Sequence, residues 1–226
     1  MYHVIVYRFF HLLIAKYICN NIIHNKGMND KIDSVIKATD ESVDKYVVGK
    51  EQPEIVLNHL KRFSNYVPLG GTVLDVGCGH GRDCKYFEDK FKVVGIDLSE
   101  QMLTKARNAC KKTYLMKMDI RDIGRIPWEF DGIWSCAVLH HLPREYLNKF
   151  ISDLFKILSD NGILFLTFKV SNSSGMVFRK DLGVEKFYES YTRDEVTRVL
   201  EDTGFSIIDD FIEKKDYVWL NIYATN

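Results

Sequence analysis

Residues 72–83 read TVLDVGCGHGRD. The opening five, Thr72 to Val76, form a short apolar run interrupted only by Asp75, which predicts a buried strand. A glycine cluster follows at once, with Gly77, Gly79 and Gly81 at alternate positions. Glycine lets the chain turn sharply and lets a ligand come close to the backbone. Residues 82–91 then suit a helix, with Cys84, Phe87 and Phe91 on one side. The start of such a helix offers unpaired backbone N–H groups. A strand that passes through glycines into a helix start is therefore a place for a small ligand, and it opens an alternating pattern.

That alternation continues to residue 168. Lys92 to Asp97 (KVVGID) predicts a second strand, and Ser99 is placed to cap the helix behind it, whose buried stripe is Met102, Ala106 and Ala109. Residues 113–118 predict a third strand and 130–136 (FDGIWSC) a fourth. Pro143 fits the first turn of the next helix, where its missing donor is harmless. Leu147, Ile151, Leu154 and Leu158 then recur at helical spacing, and Asn161-Gly162 predicts a turn into a fifth strand, 163–168 (ILFLTF). Thr192 and Glu195 frame a capping box, so a helix starts there and stops at Gly204. Residues 205–212 and 217–224 predict two last strands, paired as an antiparallel hairpin. Five strand–helix units imply an α/β fold with a mostly parallel, doubly wound sheet of seven strands.

Composition excludes several classes of protein. The chain has 226 residues, 46% hydrophobic and 27% charged, with 31 basic and 31 acidic side chains and zero formal net charge. These values describe an ordinary globular chain, not a disordered one or a disulfide scaffold. The balanced charge removes the electrostatic footprint of a general nucleic-acid binder. Cys19, Cys78, Cys84, Cys110 and Cys136 are scattered without CxxC or Cys/His spacing, so no metal site is expected and a reducing, cytoplasmic setting is. Residues 1–27 differ from the rest: they are apolar and aromatic, but Arg8, His11 and Lys16 interrupt them. They are read as an appended extension ahead of Met28, and membrane association is not expected.

Asp97 ends the second strand, twenty residues after Gly77. An acid there is placed to accept hydrogen bonds from ribose hydroxyls. The spacing D-x-G-x-G-x-G, with Asp75 ahead of the glycines, resembles that of the class I S-adenosylmethionine-dependent methyltransferases and departs from the G-x-G-x-x-G of dinucleotide enzymes. The resemblance extends through VVGIDLSEQMLTKAR (93–107), MDIRDI (118–123), FDGIWSCAVLHHLP (130–143) and LSDNGILFLTF (158–168), and spans about residues 46–226. It implies a Rossmann-like sheet of order 3-2-1-4-5-7-6 and S-adenosylmethionine as cofactor. It also implies roles: Gly77 and Gly79 along the methionine and ribose, Asp75 near the methionine amino group, and Asp97 on the ribose diol. Asp119 by its carboxylate and Ile120 by its backbone would meet the adenine, with Met102 packed near its face. Residues 28–226 then form one methyltransferase domain: a helical cap (28–66), a cofactor-binding core (67–169), a lid (170–191) and a C-terminal helix and hairpin (192–226).

The acceptor side is read from fewer residues. Methyl transfer from a sulfonium is a direct displacement, so alignment supplies most of the acceleration and a base is needed only where the acceptor must lose a proton. His140 and His141, just past the fourth strand, are the candidate bases. The long segment 170–191 carries Phe178, Arg179, Lys180, Phe187, Tyr188 and Tyr191, and a connection of this length suggests a lid. Tyr46, with Tyr188 or Tyr191, is expected to face the acceptor. The expected partner is a small molecule; RNA, or a non-catalytic cofactor-binding role, is the alternative. The absence of an N-P-P-Y signature argues against a DNA substrate.

Overall fold

The computed structural model describes residues 30–48, 54–170, 173–214 and 217–226, so the apolar extension expected over 1–27 lies outside the described residues. Two helices come first, α1 (Asp30–Val47) and α2 (Glu54–Tyr66). They are followed by β1 (Thr72–Val76), α3 (Arg82–Phe87), β2 (Lys92–Asp97), α4 (Glu100–Ala109), β3 (Tyr114–Lys117), β4 (Phe130–Cys136), α5 (Leu147–Ile157) and β5 (Leu158–Val170). A hairpin of β6 (Gly175–Arg179) and β7 (Val184–Tyr188) precedes α6 (Arg193–Thr203), β8 (Ser206–Lys214) and β9 (Val218–Thr225).

Seven strands form one sheet in the order β3-β2-β1-β4-β5-β9-β8, and β6 pairs only with β7. The first five run parallel, while β9 is antiparallel to both β5 and β8. This is the Rossmann-like order that the family resemblance implied. Side chains alternate across each strand, so every strand feeds two cores. Val73, Val93, Trp134, Phe165 and Tyr223 pack on one face with Phe63 of α2 and Phe87 of α3. Leu74, Val94, Ile133, Leu166 and Ile222 pack on the other with Leu154 of α5 and Leu200 of α6. Among the described residues no helix is long and apolar enough to cross a membrane.

Several local expectations are corrected. Helix α3 stops at Phe87, short of residue 91. Strand β2 must begin at Lys92, in register with Thr72, which leaves only four residues for the turn. Pro143 stands before a short 3-10 turn, Arg144–Tyr146, that leads into α5, and not inside α5 itself. Leu158 is the first residue of β5 and not the last of a helix, because it pairs with Phe130 across a register shift. Asn161, at φ 59°, and Gly162 fall within β5 near that irregularity and do not form a turn ahead of the strand. Segment 170–191 is largely a hairpin, closed by a turn at Leu182-Gly183 whose N–H groups both bond to the Arg179 carbonyl.

Tyr191 corrects the list of acceptor residues. Its ring is fully buried beside Phe168, and its hydroxyl donates to the Leu142 carbonyl at 2.8 Å, so it belongs to the core. The reason is its position: it lies beyond β7, where the chain has left the hairpin and turned in toward the cap of α6. Tyr191→Phe should therefore cost about 1 kcal/mol of stability, the net value of one buried hydrogen bond, as read by chemical denaturation. Cofactor affinity should not change; a selective loss of acceptor binding at full stability would put Tyr191 back in the site.

Candidate functional site

The site is built on the carboxyl ends of β1, β2 and β4, where open parallel sheets leave a crevice. Asp75 follows Val73 on the same face of β1, so its carboxyl is buried beneath α3. The Cys84 thiol donates to it at 3.1 Å. Burial first, and then the nearby Asp83 carboxylate, hold the Asp75 pKa well above the usual carboxylate range. Past the strand, Gly77 and Gly79 have φ of 69° and 54°. A Cβ on Gly77 would stand 2.3 Å from Val138, whereas one on Gly79 would meet nothing within 4 Å. The first glycine thus lets the loop press against the chain leaving β4, and the second leaves backbone open to a ligand.

Asp97 closes this loop. Its carboxylate accepts the Gly79 N–H at 2.9 Å and the Ser99 N–H at 2.8 Å. Burial raises its pKa against the pull of those two N–H groups. Ser99 also caps α4, accepting the Met102 N–H at 3.1 Å, and donates its hydroxyl proton to Asp40 of α1.

A cavity of about 460 Å³ opens beside the loop. Asp75, Gly77, Gly79, Tyr46, His140, His141 and Tyr188 all line it, so helix α1, the glycine loop, the chain after β4 and the β7 hairpin meet there. Asp97, Met102, Asp119 and Ile120 are not among its lining residues. Met102 is buried. Asp119 caps the 3-10 turn Ile120–Arg125, accepting the Arg121 N–H at 2.9 Å, and its carboxylate pairs with the Arg121 guanidinium at 2.6 Å. The carboxylate expected to meet adenine is thus engaged by its own turn.

The two histidines are distinguishable. His140 Nδ1 accepts the backbone N–H of Lys169 at 3.2 Å, so in the neutral ring the proton sits on Nε2. His141 Nδ1 donates to the Phe187 carbonyl at 2.9 Å, which leaves its Nε2 with a free lone pair. Both rings pack on Tyr188, His140 nearly parallel to it. Burial, with the Lys186 ammonium next, lowers both pKa values, that of His140 to about 3. Of the two, only His141 presents a proton-accepting atom, and its basicity is weak.

Sequence reasoning missed other cavity residues. His59 of α2 bridges the Tyr223 hydroxyl at 3.2 Å and Glu213 at 3.0 Å, and His59 and Glu213 both line the cavity. Lys169 and Lys186 line it as well. Arg82 and Asp83 form an ion pair at 2.7 Å, and Asp83 also accepts the Trp134 indole N–H at 3.0 Å. Arg82 and Asp83 close the glycine stretch, where the sequence signals only a helix start; the others have no local signal, since His59 and Glu213 are 154 residues apart and Lys186 is one lysine among many. Among the described residues no group of His, Cys, Asp or Glu is arranged to hold a metal.

The buried neutral histidines make stability pH-dependent. In the unfolded chain His140 protonates near pH 6.5, but in the fold only near 3, so the unfolded state binds more protons between these values. Its contribution is present above the unfolded pKa and is lost as pH falls, by up to about 1.4 kcal/mol per pH unit. Asp75, with a raised pKa, acts in the opposite direction, so the comparison must be differential. Denaturant midpoints for His140→Gln should fall less steeply than wild type from pH 6.5 to 4; parallel curves would show that the ring is not held neutral.

Comparison with known proteins agrees with this architecture. Residues 73–162 match a methyltransferase-domain family. The protein YqeM of Bacillus subtilis, which carries a methyltransferase name, is 27% identical over 154 residues, covering 62% of this chain and 62% of YqeM. A malonyl-[acyl-carrier protein] O-methyltransferase of Enterobacter lignolyticus is 31% identical over 102 residues, covering 45% of this chain and 40% of that protein. These matches span less than two thirds of either relative. The magnesium protoporphyrin IX methyltransferase of Synechocystis, solved with bound S-adenosylmethionine, superposes with a TM-score of 0.65 at 20% identity, covering 90% of this chain and all of that one. With the strand order and the glycine loop already in place, residues 73–162 carry a methyltransferase domain, on the fold of the solved S-adenosylmethionine-dependent methyltransferases.

Proposed function

We propose that the cavity holds S-adenosylmethionine and that the chain transfers its methyl group to a small-molecule acceptor. The observation that carries this reading is the tie between Asp97 and the Gly79 N–H, which sets an acid and an open glycine backbone side by side at the carboxyl edge. A carboxylate has about four acceptor sites, and Asp97 uses two on backbone N–H groups. Two remain for a ribose diol. Gly77 and Gly79 would run along the methionine and ribose, and Asp75 would take the amino group at the buried end. Ile120 and Met102 lie outside the lining of this cavity, so for them to meet the adenine the cofactor must extend past Asp97, beyond the cavity. The fit is chemical as well: the ligand carries no phosphate, and the glycine loop presents carboxylates in place of a cationic cradle.

When bound, the cofactor supplies a methyl group already activated on a sulfonium. The residues of this chain then have to hold the acceptor in line, exclude water and, where needed, accept a proton. Tyr46 and Tyr188 wall the acceptor end. His141 Nε2 is the proton-accepting atom there, but its depressed pKa suits acceptors that arrive with a lone pair already free. The relative named as a malonyl-[acyl-carrier protein] O-methyltransferase supports an oxygen acceptor on a small acyl group, which in that protein's case is carried on a protein.

Asp97→Ala should weaken S-adenosylhomocysteine binding by about 1.5–3 kcal/mol in a calorimetric titration, the range for hydrogen bonds to a charged group. Unchanged affinity would remove Asp97 from the site. Release of S-adenosylhomocysteine should require a small-metabolite extract, and turnover only with bulk tRNA would overturn the choice of acceptor.

A further inference from the structure

Lys186 is an unusual side chain. It is only 8% exposed, yet among the described residues its ammonium makes no hydrogen bond or ion pair, and it lines the cavity. A buried ammonium without a partner is costly unless something else supplies one. Two further cations line the same end. Lys169 of β5 stacks over the Tyr217 ring at 3.4 Å and, among the described residues, has no carboxylate in ion-pair contact. Arg179 of β6 donates to the Tyr188 hydroxyl at 2.8 Å and shares its remaining charge with the exposed Asp181.

The acids nearby do not neutralise this group. Glu213 is engaged by His59 and Asn221, and Asp83 by Arg82. Asp97 attracts Lys186 from a distance, but the two are not in ion-pair contact, and its free acceptor sites are the ones assigned above to the ribose diol. The neighbouring His140 and His141 are neutral and add no counter-charge. Binding a sulfonium in the same cavity would add positive charge to positive charge, and in a partly desolvated space that repulsion is strong.

We propose that Lys186, supported by Lys169 and Arg179, is a subsite for an oxyanion, carboxylate or phosphate, carried by the methyl acceptor. The inference rests on the reading of the cavity as a methyltransferase site and narrows its substrate to an anionic small molecule. The anion acts as a handle, separate from the reacting atom. A cation paired with the nucleophile's own charge would hold its lone pair in the ground state and slow the displacement. Held as a handle, the anion offsets both the lysines and the sulfonium and places the remainder of the acceptor beneath Tyr46 and Tyr188.

The test uses the full chain saturated with S-adenosylhomocysteine and titrated calorimetrically with inorganic phosphate and, separately, acetate. Saturable binding of at least one probe is expected. Lys186→Gln should weaken it by about tenfold or more, the loss on removing one charge-assisted hydrogen bond, and Lys186→Arg should retain it. Lys169→Gln should weaken it by a smaller factor. Tighter phosphate than acetate binding would assign a phosphate-bearing acceptor, and the reverse a carboxylate. If Lys186→Gln instead loses S-adenosylhomocysteine affinity and leaves anion binding unchanged, the lysine serves the cofactor's own carboxylate and the proposal fails. Anion binding indifferent to all three substitutions, or no binding of either probe, also overturns it. Failure of the wild-type chain to bind S-adenosylhomocysteine at all would instead overturn the methyltransferase reading.

Discussion

One carboxylate organises this molecule. Asp97 stands at the end of β2 and accepts backbone N–H groups from Gly79 and from Ser99. The first bond holds the glycine loop in its left-handed turns; the second starts α4, whose cap Ser99 then reaches Asp40 on α1. Loop, strand end, helix start and outer helix are thereby coupled through a chain of short polar contacts. Each contact is partly shielded from water, so leaving any partner unsatisfied would cost more than the bond contributes. The geometry of the cavity follows from this chain, because α1 carries Tyr46 to its lining.

The far wall of the cavity has a different origin. The β6–β7 hairpin is an excursion between β5 and α6 that takes no part in the main sheet. It packs against α1 and delivers Arg179, Lys186 and Tyr188 to the cavity. The histidines after β4 fasten it, since His141 donates to the Phe187 carbonyl and the Glu189 N–H bonds to the carbonyl of His140. The His141 ring, suggested by sequence as a proton acceptor, therefore also holds the hairpin, as does the backbone of His140, and both rings are buried and weakly basic. Position and proton affinity are linked: burial beneath the hairpin removes the water that would stabilise a charged imidazolium, and this outweighs the bond to the Phe187 carbonyl, which by itself favours the charged ring.

The strands, the glycine turn, the Ser99 cap and the Thr192 capping box were all legible in the chain, because each depends on contacts between near neighbours or on a period of two or 3.6 residues; the order of the strands in the sheet was implied only by the family resemblance. Asp75, Gly77, Gly79 and Asp97 were legible for the same reason: a strand end and the turn after it place them without help from distant segments. Tertiary packing decided the rest. Tyr188 and Tyr191 are three residues apart and similar in sequence context, yet one faces the cavity and the other fills the core, since the hairpin ends between them. Asp119 was expected on a ligand and is held by Arg121, a choice between two acceptable hydrogen-bond partners that local sequence leaves open. Lys186, Lys169 and Arg179 converge because β7, β5 and β6 meet at one edge of the cavity, and His59 reaches Glu213 across 154 residues. Periodicity records which face of an element is apolar; it carries no information on which polar side chains from separate elements will share one cavity, since that depends on how the elements pack.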